Sequence, residues 1–343
     1  MAGEEPRVPD ELVHNYRRPA CLGGPLPPDP DLVSLRWFGT ATFELTFGDQ
    51  VILLDNFYDR PARNRPLGFA AADVTKADLI LVGHPHFDHV ADTARVATQT
   101  GAPVTIAPIG ADYLLGQGTP ARQIHPVAGR GSGDVIAGAG FSVRALHGFH
   151  LDIGLDEEQM GRWQALRAAR AAFEAAFTPP PAQEEDEAAA LIAQRGVHTP
   201  EVSTEATLTY VIDIGGFRIV YRDSGGAISD EERVYFTAHP GVDLAILSLN
   251  GLPHVAQQLD DVFMPLARLY QPRVLVPAHH DELWINFGGT GLTPMFSDVA
   301  TEVIKERVHD ELPATITAQP GLIEPLTVSR SKGDVVLGEI RVH

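Results

Sequence analysis

An α/β (α+β) fold built as an αββα sandwich, two β-rich layers with helices outside them, is the architecture this sequence predicts. Three observations carry it. Short apolar or alternating runs come first, helical stretches intervene, and the order then recurs in the second half of the chain. Residues 77–83, ADLILVG, form a continuous apolar run of the kind found in a strand covered on both faces. No glycine-rich phosphate loop joins a strand to a helix, which argues against a doubly wound nucleotide fold; Gly131-Ser132-Gly133 and residues 138–140 read as turns.

Taken in order, residues 1–30 are rich in proline and charge and read as an irregular arm, with residues 31–343 as the folded domain. Residues 32–38, 42–47 and 50–55 are strands, separated by Gly39-Thr40 and Gly48-Asp49. Residues 90–100 have helical composition and stop at Gly101; residues 104–107 and 141–146 return to strand. At about 156–195 the chain changes character. Met160, Trp163, Leu166, Phe173 and Phe177 fall near one helical face, three prolines at 179–181 stop that helix, and an acidic run at 184–187 leads into a second one. This section is expected to be an inserted helical hairpin, whose apolar face packs on the sandwich, lids a cleft or meets a second copy of the chain. Residues 207–214 and 217–222 form a hairpin across Gly215-Gly216; a strand at 244–249, a helix near 255–269, a strand at 274–277 and a helix near 297–308 complete the pattern.

Composition narrows the function. The chain carries 26 basic against 45 acidic residues, a formal charge of −19, which disfavours an extended nucleic-acid surface or an anionic membrane. No run approaches the roughly 18 apolar residues of a membrane span, and residues 1–30 lack both a basic start and an apolar core for a secretory signal, so a cytoplasmic protein is expected. The single cysteine, Cys21, excludes an intramolecular disulfide framework and a cysteine-based zinc ribbon. The 14 histidines matter more, because several of them cluster.

Directly after the buried run stands Gly83-His84-Pro85-His86-Phe87-Asp88-His89. In extended backbone, His84 and His86 point the same way, while Asp88 and His89 turn with the chain into the following helix. Three imidazoles and a carboxylate in six residues can supply ligands to two adjacent divalent ions with positions left for water. A solvated histidine-rich loop is the plain alternative. It accounts poorly for H-x-H-x-D-H between a buried strand and a helix.

With this motif the sequence resembles the metallo-β-lactamase superfamily. Residues 36–45, RWFGTATFEL, are similar to the branch holding ascorbate-6-phosphate lactonases and N-acyl-phosphatidylethanolamine-hydrolysing phospholipases. The resemblance runs from about residue 32 to the C-terminal helix and implies a metal site, usually dinuclear, at the edge of the sandwich. It implies a third histidine on the first metal after residues 141–146: His150 fits the rhythm, and His147, the other candidate, would stand behind it. It implies a bridging carboxylate at Asp223, where Arg222 departs from the usual glycine, and a ligand at His279. His280 and Asp281 would then face the substrate or support the ligands. The expected set is His84, His86 and His150 on one ion, Asp88, His89 and His279 on the other, and Asp223 between them. His239 and His254 are weaker candidates to line the cleft, and His14, His125, His198, His309 and His343 are expected in solvent.

Imidazole and carboxylate ligands suit zinc, with manganese or iron as alternatives. Two such ions would leave the site locally positive and provide a hydroxide at neutral pH, with Asp88 orienting it and passing a proton to the leaving group. The expected activity is hydrolysis of an ester, lactone, amide or phosphodiester bond in a small molecule. A non-catalytic metal-binding sensor or assembly module on the same fold is the other reading.

Overall fold

In the computed structural model the described residues are 18–60, 66–131, 133–150, 156–162, 194–249, 259–281 and 293–337, with four single positions between 163 and 193. β1 (Leu32–Trp37), β2 (Phe43–Phe47) and β3 (Gln50–Leu54) form an antiparallel meander. β4 (Leu79–Leu81) then joins in parallel, followed through helices α1 (Phe87–Val90) and α2 (Thr93–Thr100) by β5 (Val104–Ile106), and through α3 (Pro108–Gly116) by β6 (Ile124–Pro126). The second sheet repeats this plan. β7 (Asp134–Gly138), β8 (Phe141–Gly148), β9 (Thr207–Ile214) and β10 (Phe217–Arg222) are antiparallel, with α4 (Pro200–Glu205) before β9. Beyond α5 (Asp230–Ala238) come parallel β11 (Val242–Ser248), helix α6 (Met264–Tyr270), β12 (Pro272–Ala278), helix α7 (Thr293–Glu311) and β13 (Ile316–Thr317). The chain finally returns to the first sheet as β14 (Pro325–Ser329) beside β1, with β15 (Val335–Leu337) at its edge. Among the described residues this gives an eight-stranded and a seven-stranded sheet.

The period of two in each strand explains how the layers stack. Leu79 and Leu81 of β4 enter the core between the sheets, with Leu35, Phe43, Val143, Leu208 and Ile219, whereas Ile80 and Val82 enter the outer layer with Val96, Ala97 and Leu114. The apolar run at 77–83 is continuous because both faces are covered, as expected. A third cluster covers the outer face of the second sheet, where Val220, Ala245 and Leu275 meet Phe236, Met264, Ile304 and Val308 of α5, α6 and α7. Helix, sheet, sheet and helix thus follow one another.

Differences from the sequence reading have local causes. The helix expected at 90–100 is two helices, with Asp92 accepting the amides of Tyr58 and Asp59 at the junction. α5 was not anticipated, although Ser229 and Glu232 carry the S-x-x-E signal and form both halves of a capping box. β14 pairs with β1 across nearly the whole chain, with Leu32 opposite Ser329, a long-range choice that no local pattern announces. Of the arm, Ala20–Leu22 form a buried 3-10 turn whose first two amides donate to the buried Glu44 carboxylate. Residues 1–17, the insertion residues Trp163, Leu166, Phe173 and Phe177, and His254 lie outside the described residues; residues 157–162 are helical.

Candidate metal centre

The site is built at one edge of the sandwich, where β4 of the first sheet and β8, β10 and β12 of the second all end. Hydrogen bonds between the sheets fix their mutual position there. The Leu208 amide donates to the Gly83 carbonyl at 2.8 Å, the Tyr210 hydroxyl to the Val82 carbonyl at 2.9 Å, and the His279 amide to the Thr40 carbonyl at 2.9 Å. Gly83 has no substitute: a Cβ at this position would lie 2.0 Å from the Asp223 carboxyl carbon. The missing side chain lets the H-x-H-x-D-H segment lie directly on Asp223.

His84 and His86 leave β4 in extended backbone, and His84 Nε2 and His86 Nδ1 converge to 3.0 Å. The His150 ring completes this corner, with centroids 4.8 Å from His84 and 4.7 Å from His86. On the other side, α1 turns Asp88 and His89 toward His279. Asp88 Oδ2 lies 3.1 Å from His279 Nε2 and 3.4 Å from His89 Nε2. Asp223 Oδ2 stands 2.6 Å from His84 Nδ1 and 3.3 Å from His89 Nδ1. Three groups result, each with its ligand atoms within 4.8 Å of one another: His84, His86 and His150; His84, His89 and Asp223; and Asp88, His89 and His279. The middle group takes one histidine from each flanking group, so Asp223 lies between them.

Burial and charge set the protonation of these groups. His84 and His150 are pushed well below the ordinary histidine value, and His86 to about 4, by burial first and, for all three, by neighbouring imidazoles. These rings are therefore neutral, the form that donates a lone pair. Burial would also lower His89, but Asp88 and Asp55 outweigh it and hold that ring well above its usual value. Burial pushes Asp223 up to about 6 against the pull of His89 and Arg222. It would raise Asp88 too, yet His89 and His279 keep that carboxyl well below the usual range.

The residues fit a cation on a direct test. Among the described residues, the buried Asp223 Oδ1 and the buried His150 Nδ1 have no hydrogen-bond partner. Such orphaned polar atoms are costly unless something else satisfies them.

One supporting residue, Asp55, has no counterpart among the sequence expectations. Asp55 follows β3 with a positive φ of 50° and is fully buried. Its Oδ1 accepts the Gly83 amide at 2.8 Å, and its Oδ2 accepts from His89 Nδ1 at 2.5 Å and from the Tyr221 hydroxyl at 2.6 Å. Burial raises its pKa to about 7 despite the opposing pull of His89. The available signal was an acidic residue ending an otherwise apolar strand. Asp281 accepts the Thr40 amide on both oxygens, at 2.9 and 2.8 Å, and faces Arg60 at 3.8 Å, so it braces the loop whose Thr40 carbonyl holds His279. His280 packs on Trp37, ring centroids 4.8 Å apart. His147 bonds the Thr204 carbonyl through Nε2 and faces Glu231, and it joins none of the three groups among the described residues. His239 stacks on Tyr235 at the end of α5. His198 is exposed, as expected, but it stacks face to face on His86 at 5.1 Å, which nothing in its sequence surroundings announced.

Comparison with known proteins adds a family context. Residues 50–195 match the family described as the beta-lactamase superfamily domain. A UPF0173 metal-dependent hydrolase of Thermoplasma acidophilum is 24% identical over 71% of this chain and 82% of its own length. A UPF0173 metal-dependent hydrolase of Thermococcus onnurineus is 36% identical over 24% of this chain and 35% of its length. With this relative and two others the match spans about a third of the curated protein. Among solved structures, Igni18, a metallo hydrolase of Ignicoccus hospitalis, has a TM-score of 0.55 at 14% identity and covers 86% of this chain and 98% of its own. CmlA, a diiron β-hydroxylase of Streptomyces venezuelae, has a TM-score of 0.51 at 14% identity, over 88% of this chain and 55% of its own. These likenesses show the fold. The chain has the metallo-β-lactamase fold, and its relatives include proteins named as metal-dependent hydrolases.

Proposed function

We propose that this chain is a dinuclear metal-dependent hydrolase acting on an ester, lactone, amide or phosphodiester bond of a small molecule. The observation that carries the proposal is the three interlocking groups of buried imidazoles and carboxylates. His84, His86 and His150 would hold one divalent ion, Asp88, His89 and His279 the other, and Asp223 would lie between the two. Zinc suits this nitrogen-rich set, with manganese or iron as alternatives. Bound there, such ions supply Lewis acidity, which lowers the pKa of water towards about 7 and polarises a carbonyl or phosphoryl oxygen.

The protein's own part is positioning and proton transfer. Asp55 accepts a hydrogen bond from His89 Nδ1 and thereby aims Nε2 toward Asp88. The Asp223 carboxylate does the same for His84, leaving its Nε2 to face His86. Asp88 keeps a carboxylate ionised beside His89 and His279, suited to accept a proton from the attacking water and return it to the leaving group.

The similarity of residues 36–45 to lactonases and phosphodiester-cleaving phospholipases supports putting lactones and phosphodiesters first among substrates. The fold alone does not choose the reaction, since a diiron hydroxylase shares it. A cytoplasmic location is part of the proposal; among the described residues no helix is long and apolar enough to cross a membrane. A homo-oligomer also belongs to it.

The test is elemental analysis of the purified protein combined with a turnover screen on generic esters, lactones, amides and phosphodiesters, before and after chelation. Metal-dependent turnover of one bond class supports the reading. Two bound ions with no turnover of any class would favour the sensor or assembly role, and no metal uptake on reconstitution would refute the metal centre itself.

A further inference from the structure

Arg222 replaces the small residue that the resemblance leads one to expect before Asp223, and among the described residues it is one of the largest fully buried side chains. We propose that Arg222 is a positioning residue that clamps the loop carrying Asp223 to the loop carrying His150, and so sets the spacing between these two members of the candidate metal centre. The proposal rests on the metal-centre reading above.

Four contacts carry it. The guanidinium donates to the carbonyls of Ser224 and Ala227, the latter at 2.8 Å, which fixes the loop leaving Asp223. It also reaches the Phe149 carbonyl at 3.5 Å, one residue before His150. Its Nε donates to Glu232 Oε1 at 2.8 Å. Glu232 in turn accepts the Thr209 and Tyr270 hydroxyls at 2.7 Å each, and the Ser229 amide at 2.9 Å. The Ser229 hydroxyl closes the circuit on the His147 carbonyl at 2.6 Å, near the end of the strand that delivers His150. One buried ion pair therefore holds the backbone of both loops, the one leaving Asp223 and the one leading into His150.

A second, independent observation shows how closely the two loops are pressed together. A Cβ on Gly226 would lie 1.9 Å from the Phe149 carbonyl oxygen, so the loops meet backbone to backbone. Arginine suits this task because its planar fork offers five donors in fixed directions, enough for three carbonyls and a carboxylate at once. A lysine would keep the charge beside Glu232 but lose the fork. A glycine would leave both Glu232 and the carbonyls without their partner.

The experiment compares wild-type protein, Arg222→Lys and Gly226→Ala after removal of metal, with cobalt(II) as the probe. Binding is read by titration, coordination by the visible absorption bands of the bound cobalt, and folding by circular dichroism. Gly226→Ala leaves Arg222 and Glu232 intact and only pushes the loops apart. The clamp predicts that both variants fold, bind cobalt about 10–100-fold more weakly and show shifted bands, as for other groups that orient metal ligands. If Arg222→Lys fails to fold, Gly226→Ala alone decides by the same criteria. Folded variants with wild-type affinity and bands overturn the clamp and leave the metal centre standing. Failure of both variants to fold overturns it in favour of a purely structural role. Wild-type protein that takes up no cobalt overturns the metal centre and the clamp together.

Discussion

Asp55 and Asp88 hold the two nitrogens of one imidazole, and their environments push them in opposite directions. Asp55 is sealed behind His89 and raised to about 7 by burial; Asp88, more open and flanked by His89 and His279, stays ionised far below the usual carboxylate range. That division suits one carboxylate to orientation and the other to chemistry. Asp88→Asn is expected to lower turnover by about 10²–10⁴-fold at equal metal content and with unchanged circular dichroism. Near-wild-type rates in that variant would end its role as the acid–base group. In Asp55→Asn an amide donor can face His89 Nδ1, so the ring loses the acceptor that fixes its tautomer. Metal affinity, measured in competition with a chromophoric chelator, is expected to fall by about 10–100-fold; unchanged affinity would show that His89 needs no such support.

Arg222, at the end of β10, and Glu232, in the first turn of α5, make a buried ion pair across two elements of the second half of the chain. Burial pushes the Glu232 carboxyl up, but Arg222 and the Ser229 amide more than offset this and hold it below its ordinary 4.5. A folded-state pKa below the unfolded one contributes stability above the unfolded value, and this is lost as pH falls through the folded value. Glu232→Gln removes that contribution and leaves a buried guanidinium unpaired, at a cost of about 3–5 kcal/mol near neutrality. The melting-temperature gap between wild type and Glu232→Gln should therefore be widest at neutral pH and narrow as the pH drops below about 4.5. A gap that stayed constant into acid would show that Glu232 is not the ionised partner.

At the scale of the whole molecule, the site belongs to neither sheet. His84, His86, Asp88 and His89 come from the first, His150, Asp223 and His279 from the second, so cations held between them would tie the two layers together. Ligands that bind only the folded state stabilise it by mass action, by about 4 kcal/mol at a thousandfold excess over Kd. Elemental analysis is accordingly expected to find two ions per chain, and chelation to lower Tm by roughly 5–10 °C. A chelated protein melting at the same temperature as the loaded one would mean that no ion bridges the layers.

How much of this was legible beforehand follows from the range of each interaction. The alternation of strands and helices, the doubly covered run at 77–83 and the H-x-H-x-D-H segment are local, because backbone geometry alone puts His84 and His86 on one side of an extended strand and turns Asp88 and His89 into a helix. Later members of the site were legible only through resemblance, since nothing in a strand end announces which distant strand it will meet. Tertiary structure alone showed Asp55 behind His89, Asp281 behind Thr40, His198 against His86 and β14 beside β1. It also turned Arg222 from an odd replacement for glycine into the hub of a buried network. The physical reason is the same in each case. A side chain's identity sets what it can donate, accept or bury, but its partner is chosen only when the two sheets close on a common core and make unpaired polar groups costly.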